Sequence, residues 1–230
     1  ELSRSSALRH ESGRVLVEGY RAISGAAQAG AKFRYVLVTD SDDERMQAIP
    51  AEKIVVDSKS LERIATTASP QAALAICEMP TISIDQIVSG NISRKPIIVL
   101  DNVSDPGNVG TIIRSAVAFG IGAIVMVGGC DPFNPKVVRS SAGTIFACLI
   151  ISVEEYQLDQ ILSRREVFSA AASQDASLDT AKFPKNPAIV FGSEAHGIIT
   201  PYFENNTHPF SIPMQELCES LNVAMTATIV

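Results

Sequence analysis

The sequence predicts an α/β protein in two parts, a small N-terminal unit and a larger one built on a parallel sheet. Short apolar runs such as residues 96–100 and 123–127 are nearly continuous instead of alternating, the pattern of strands buried on both faces. They are separated by stretches of helical period, which is how parallel strands are connected. Between the two parts, Pro80, Gly90, Asn91 and Pro96 interrupt the pattern and mark a connection.

Taken in order, residues 14–17 form a strand, and 19–29 carry Ala22, Ile23, Ala26 and Ala27 at helical spacing before Gly30 stops the helix. Residues 33–38 are a strand, 40–44 an acidic turn and 53–56 another strand. Ser58 or Ser60 caps a helix running to about residue 67, and 73–77 return as a strand. Residues 1–80 are enough to fold as a unit, and 81–95 form a linker with an amphipathic stretch at 84–88. Beyond it, strands fall at 96–100, 123–127, 148–153, 167–171 and 188–191, and helices at 109–119, 136–141 and 154–164. Gly128-Gly129 closes the second of those strands. Residues 221–230 read as the first turns of a helix that stops abruptly, so the natural chain is expected to continue.

Composition narrows the function classes. With 46% hydrophobic and 19% charged residues among 230, the chain is an ordinary globular one. Its apolar runs are too short to span a bilayer, and Arg4, Arg9, His10 and Glu11 occupy the place of a signal core. A cytoplasmic protein without a membrane partner is expected. Cys77, Cys130, Cys148 and Cys218 form no CxxC pair, and three lie in apolar or small-residue surroundings, so no metal is expected. His10, His196 and His208 have no ligand spacing either. A net charge of −6 argues against a general nucleic-acid binder but leaves room for a local basic patch. Residues 1–34 supply one, with Arg4, Arg9, Arg14, Arg21, Lys32 and Arg34 opposed by Glu1, Glu11 and Glu18. That cluster is either a solvated face or a set of phosphate contacts.

Three loops carry candidate chemistry. Asn102-Val-Ser-Asp-Pro-Gly-Asn-Val-Gly110 joins a strand to a helix, with Asp105-Pro-Gly as the turn and Asn108 as the N-cap. Its glycines either only shape the connection or leave N–H groups free to meet a phosphate or carboxylate. Arg114 lies in the second helical turn, where it opposes the macrodipole and an anionic partner would be welcome. There is no Gly-Lys-Ser/Thr and no GxGxxG, so a nucleotide-triphosphate enzyme is poorly supported. Gly192-Ser-Glu-Ala-His-Gly197 ends a buried strand, at the sheet edge where α/β proteins bind ligands. Glu194 is a solvated loop residue or a functional carboxylate, and nothing in sequence pairs with His196 to make it a base. Ile212-Pro-Met follows a further strand, and Ser220 and Asn222 open the last helix. They cap it, or they line a ligand site together with the backbone around Ile212 and Leu221.

In this order and at these separations, the three loops resemble the signature motifs of the SpoU/TrmH family of RNA ribose 2'-O-methyltransferases, within the SPOUT superfamily. Asn102, Asn108, Gly110 and Arg114 match the first motif, and Gly192, Glu194 and Gly197 the second. Ile212 to Met214 and Ser220 to Val223 match the third. The resemblance covers about residues 96–230, and Val15-Leu-Val-Glu-Gly19 resembles the start of the small α/β substrate-binding domain that many members carry. Two positions depart from the pattern: Glu216 stands where members have glycine, and Ala224 where serine is common.

The resemblance implies that residues 96–230 form a parallel-sheet domain with a deep trefoil knot that binds S-adenosylmethionine and forms a homodimer. It implies that Gly192, Ile212, Met214 and Leu221 hold the cofactor, and that Asn108, Arg114, Glu194, Ser220 and Asn222 form the catalytic set. Residues 1–80 would then select RNA, with Arg9, Arg14, Arg34 and Arg114 as RNA contacts. Large-subunit ribosomal RNA is expected ahead of transfer RNA because of the appended front domain. Two other readings remain at this point. One is a non-catalytic RNA-binding member of the fold, hinted at by Glu216. The other is an unrelated α/β enzyme that uses the Pro-Gly-Asn loop for a phosphorylated small molecule.

Overall fold

The computed structural model describes residues 1–67, 69–171, 177–215 and 217–230. The chain begins with α1 (Ser6–Ser12), β1 (Arg14–Glu18), α2 (Tyr20–Gln28), β2 (Phe33–Val38), α3 (Glu44–Gln47), β3 (Glu52–Val55), α4 (Ser58–Ile64) and β4 (Ala73–Glu78). It continues with α5 (Ile84–Val88), β5 (Ile97–Asp101), α6 (Pro106–Ala118), β6 (Ala123–Val127), α7 (Pro135–Ser140) and β7 (Leu149–Val153). It closes with α8 (Leu158–Leu162), β8 (Val167–Ala170), β9 (Ala188–Gly192), β10 (His208–Phe210) and α9 (Val223–Ile229).

Two compact units result. The first holds Glu1–Thr81 together with Asp131–Ala147, and the second holds Ile82–Cys130 and Cys148–Val230. The division differs from the expected one in two places, each for a packing reason. The expected linker is part of the second unit, because Ile82, Ile84, Ile87 and Ile92 pack against its core. The segment Asp131–Ala147 belongs to the first unit, because it lies against α2 at glycines. A Cβ on Gly25 would stand 2.0 Å from the carbonyl oxygen of Ala142, and one on Gly143 would stand 2.2 Å from that of Ala22. Only glycine permits so close an approach of two backbones.

The first unit is a four-stranded sheet ordered β1-β4-β2-β3. Its β4 runs antiparallel to β1 and β2, and β2 runs parallel to β3. Capping fixes its helix ends. Ser5 accepts from the N–H of Leu8, and Gly13 ends α1 in the left-handed conformation at φ +62°. At α4 neither serine is the cap. Asp57 takes that place, accepting from the Ser60 N–H at 2.9 Å and the Ser60 hydroxyl at 2.6 Å, because its carboxylate stands one residue earlier. The expected acidic turn likewise becomes α3, capped by Asp43.

The second unit is a six-stranded sheet ordered β10-β8-β9-β5-β6-β7, parallel throughout. Every residue of β5 and β6 is buried, as their unbroken apolar character requires. The helix expected over 154–164 is a short 3₁₀ turn, Glu155–Gln157, followed by α8. Cys77 and Cys148 are buried, and burial pushes both thiols up to about 12, so they act as small hydrophobes. Among the described residues no helix is long and apolar enough to cross a membrane, and no cluster of side chains could hold a metal ion.

Candidate active site

The first loop leaves the C-terminal end of β5. Asn102 adopts a left-handed φ of +54°, and its N–H reaches the Val127 carbonyl at 2.8 Å. The chain then turns into α6, whose N-cap is Asp105, with its Oδ1 accepting from the Asn108 N–H at 2.9 Å. This corrects the expected cap. Pro106 suits the first helical position, where its missing N–H costs nothing, so the helix begins before Asn108. Two consequences follow. The Asn108 side chain is released from capping, and Arg114 falls in the third turn, beyond the reach of the macrodipole. Arg114 is exposed and makes no hydrogen bond or ion pair among the described residues.

The second loop leaves β9, the neighbour of β5. Ser193 and Gly197 exchange both backbone hydrogen bonds at 2.9 Å, with Gly197 at φ +67°. A Cβ at Gly192 would stand 2.1 Å from the Gly197 carbonyl carbon, so this tight return requires glycine. Glu194 is thereby held at an exposed tip. His196 is exposed too, its backbone N–H donating to Ser193 Oγ at 3.2 Å. The returning leg is fixed by Asp101, a fully buried carboxylate at the end of β5. Its Oδ2 accepts from the N–H groups of Ile199 (2.6 Å) and Thr200 (2.9 Å). Its Oδ1 accepts from the Thr200 hydroxyl (2.5 Å) and the Asn102 amide (2.8 Å). Sequence reasoning passed over Asp101; the available signal was a carboxylate closing an otherwise wholly apolar strand.

The third loop ends at α9, capped by Asn222 alone. Its Oδ1 accepts from the N–H groups of Ala224 (2.9 Å) and Met225 (3.3 Å). With that oxygen engaged, the Asn222 amide nitrogen donates to Asn108 Oδ1 at 2.9 Å. Asn108 must then turn its own NH₂ outward, and it donates to Glu194 Oε1. The helix cap thus sets the orientation of two amides in series and presents Glu194 with a donor. Asn108 ties together residues from all three loops.

Beside this linkage lies a cavity of about 400 Å³, within the range typical of small-molecule sites. Phe191, Phe210 and Val223 give it apolar walls, and Gly192, Ile212, Met214 and Leu221 all line it. Glu194, Ser220 and Asn222 stand at it as well, whereas Asn108 and Arg114 do not. Among the described residues, the backbone groups of Ile212 and Leu221 make no hydrogen bond, which leaves them free for a ligand. Apolar walls for a flat ring, free amides and a carboxylate at the rim suit a nucleoside carrying an amino acid. Ala224 is buried in the first turn of α9, and Glu216 lies outside the described residues.

The expected RNA contacts of the first unit divide. Arg14 is exposed at the start of β1. Arg34 pairs with Glu78 at 2.8 Å and stays 53% exposed. Arg9 is a correction: it is buried, with Nε and Nη2 donating to Asp131 Oδ2 at 3.0 and 2.5 Å and Nη1 donating to the Leu2 carbonyl at 2.7 Å. A guanidinium so engaged is a structural clasp, not a phosphate contact.

The profile of the SpoU rRNA Methylase family matches residues 95–230, and that of an MRM3-like substrate binding domain matches residues 4–75. The 23S rRNA (guanosine(2553)-2'-O)-methyltransferase RlmP of Bacillus subtilis is 26% identical, covering 96% of this chain and 88% of its own. The 23S rRNA (uridine(2479)-2'-O)-methyltransferase of Streptomyces viridochromogenes is 27% identical, covering 96% of this chain and 82% of its own. The crystal structure of the SpoU methyltransferase AviRb from Streptomyces viridochromogenes, in complex with the cofactor AdoMet, superposes with a TM-score of 0.87. It is 26% identical and covers 99% of this chain and 91% of that one.

Proposed function

The chain belongs to the SpoU rRNA Methylase family, and on that premise we propose that it methylates a ribose 2'-hydroxyl of large-subunit ribosomal RNA, using S-adenosylmethionine. The observation that carries the proposal is Asn108, which joins Glu194 to Asn222 beside a nucleoside-sized cavity. Ribosomal RNA is favoured over transfer RNA because relatives matching along most of their length are named as 23S rRNA 2'-O-methyltransferases.

S-adenosylmethionine supplies an already activated methyl group, so correct positioning can provide much of the acceleration. Gly192, Ile212 and Leu221 hold the cofactor chiefly through backbone groups, and Met214 covers it with an apolar side chain. Arg114 grips the phosphate beside the target ribose with its planar fork and stabilises the developing alkoxide. A guanidinium, which keeps its proton, is unsuited to removing another. Glu194 accepts that proton on the oxygen not engaged by Asn108. Ser220 and Asn222 position the ribose at the cavity rim. Arg14 and Arg34 contact RNA phosphates from the first unit.

The same reading carries a substrate-selecting N-terminal domain, a deep trefoil knot in the C-terminal one, a homodimer formed through it, and a cytoplasmic location beside the ribosome. Support for the domain order comes from the two profiles, which match front and back of the chain in turn. The test is methyl transfer from labelled cofactor onto total ribosomal and transfer RNA, followed by nucleoside chromatography. Label in a 2'-O-methylated nucleoside of large-subunit RNA is expected. Label confined to transfer RNA, or methyl groups on a base, would overturn the assignment.

A further inference from the structure

Asp101 is a buried carboxylate that none of the proposed chemistry uses, yet it contacts both loops that frame Glu194. It sits at the last position of β5, paired in register with Gly192, the residue from which the Glu194 loop departs. That loop makes its tight return between Ser193 and Gly197, and its far leg then arrives at Ile199 and Thr200. Both backbone N–H groups there, and the Thr200 hydroxyl, end on Asp101. The fourth donor is the amide of Asn102, whose left-handed backbone begins the turn toward Asn108. One side chain therefore closes the base of the Glu194 loop and fixes the first step of the Asn108 loop.

We propose that Asp101 is a positioning residue, which keeps Glu194 in register with Asn108 by bracing the two loops from below. The inference rests on the methyltransferase reading above. A carboxylate offers about four acceptor sites, and four donors use them. An amide of the same shape offers two, and aims its own N–H groups at the donors left over. Asp101→Asn therefore keeps the volume and weakens the brace, which keeps all four contacts only if the Thr200 hydroxyl and the Asn102 amide both reverse to accept. Gly192 is held independently by strand pairing, so the cavity survives the weakening of the brace while the carboxylate at the loop tip drifts.

The experiment is a double-mutant cycle with Glu194→Gln, read by single-turnover methyl transfer, by KM for RNA and by cofactor affinity. Asp101→Asn is expected to lower kcat about 100-fold, the scale of a misplacement near 1 Å, while KM and cofactor Kd change less than about 3-fold. In the Glu194→Gln background the same change should cost almost nothing more, since its route of action is already gone. Thr200→Val, which removes one of the four donors without changing shape, should give a smaller loss with the same non-additivity, and decides the matter if Asp101→Asn fails to fold. Wild-type turnover in Asp101→Asn, or losses that multiply in full with Glu194→Gln, would overturn the positioning role. A wild-type chain that methylates no RNA would instead overturn the underlying reading. Amide exchange of residues 192–200 would still report whether Asp101 braces the loop.

Discussion

At the scale of single residues, the site depends on which way two amides point. Asn222 cannot turn over, because two helix N–H groups engage its oxygen, and Asn108 follows from it. Asn222→Asp keeps the cap, since a carboxylate accepts from the same N–H groups. It removes the donor to Asn108, and an Asn108 that flips to compensate turns its oxygen toward Glu194. The expected outcome is a melting temperature close to that of the parent and a kcat lower by about 100-fold, the size of loss seen when a positioning contact fails. A normal kcat with the cap intact would dissociate amide orientation from catalysis. Sequence alone gave Asn108, Glu194 and Asn222 as members of three motifs, but not the bonds between them, because residues 86 and 114 positions apart meet only in the folded chain. Arg9 was misread for the same reason. Its charge was visible, whereas its partner Asp131 lies 122 positions away.

At the scale of elements, periodicity found the buried strands well, since β5 and β6 are apolar at nearly every position and need no context to be recognised. Helix starts were harder where several cap residues compete. Asp105 and Asn108 both suit α6, and the proline between them decides for Asp105. The placement of α7 was illegible, because its apolar residues Val137 and Val138 do not say which unit they enter, and the backbone contact with α2 just after it leaves no apolar pattern. Gly25→Ala tests that contact. Its Cβ would overlap the Ala142 carbonyl oxygen, which belongs to rigid backbone. A loss of about 2 kcal/mol or more is expected in the denaturant midpoint, as for other overpacked interiors. An unchanged midpoint would mean that Asp131–Ala147 does not rest on α2 as described.

At the scale of the whole molecule, net charge pointed away from RNA while the motifs pointed toward it. The motifs were the better guide because they specify local geometry and charge is only a sum. Acid stability shows how a local charge can govern a whole unit. Burial alone would raise the Asp131 carboxyl, but hydrogen bonds from Ser6 and Arg9 and from the Phe133 N–H outweigh it and hold the group below its ordinary value. His10 Nε2 also faces it, 3.7 Å from Oδ1. A depressed folded pKa stabilises the fold fully above the unfolded value of about 3.9, and that stabilisation is lost as pH falls through the folded one. Asp131→Asn should therefore melt below the wild type at neutral pH, with the gap closing as pH drops below about 4. A gap that stays constant down to pH 2 would assign the loss to packing instead.

The excursion of Asp131–Ala147 into the first unit also bears on how such a molecule can be remodelled. The polypeptide passes from one unit to the other three times, so no single cut yields two self-sufficient halves. A front piece ending at residue 81 would lack α7, and a back piece beginning at 82 would carry the stranded apolar side chains of Val137, Val138 and Ile145. Exchange of the front module with that of a relative therefore calls for grafting two separate stretches at once, and lineages that swap it by one recombination event should be rare.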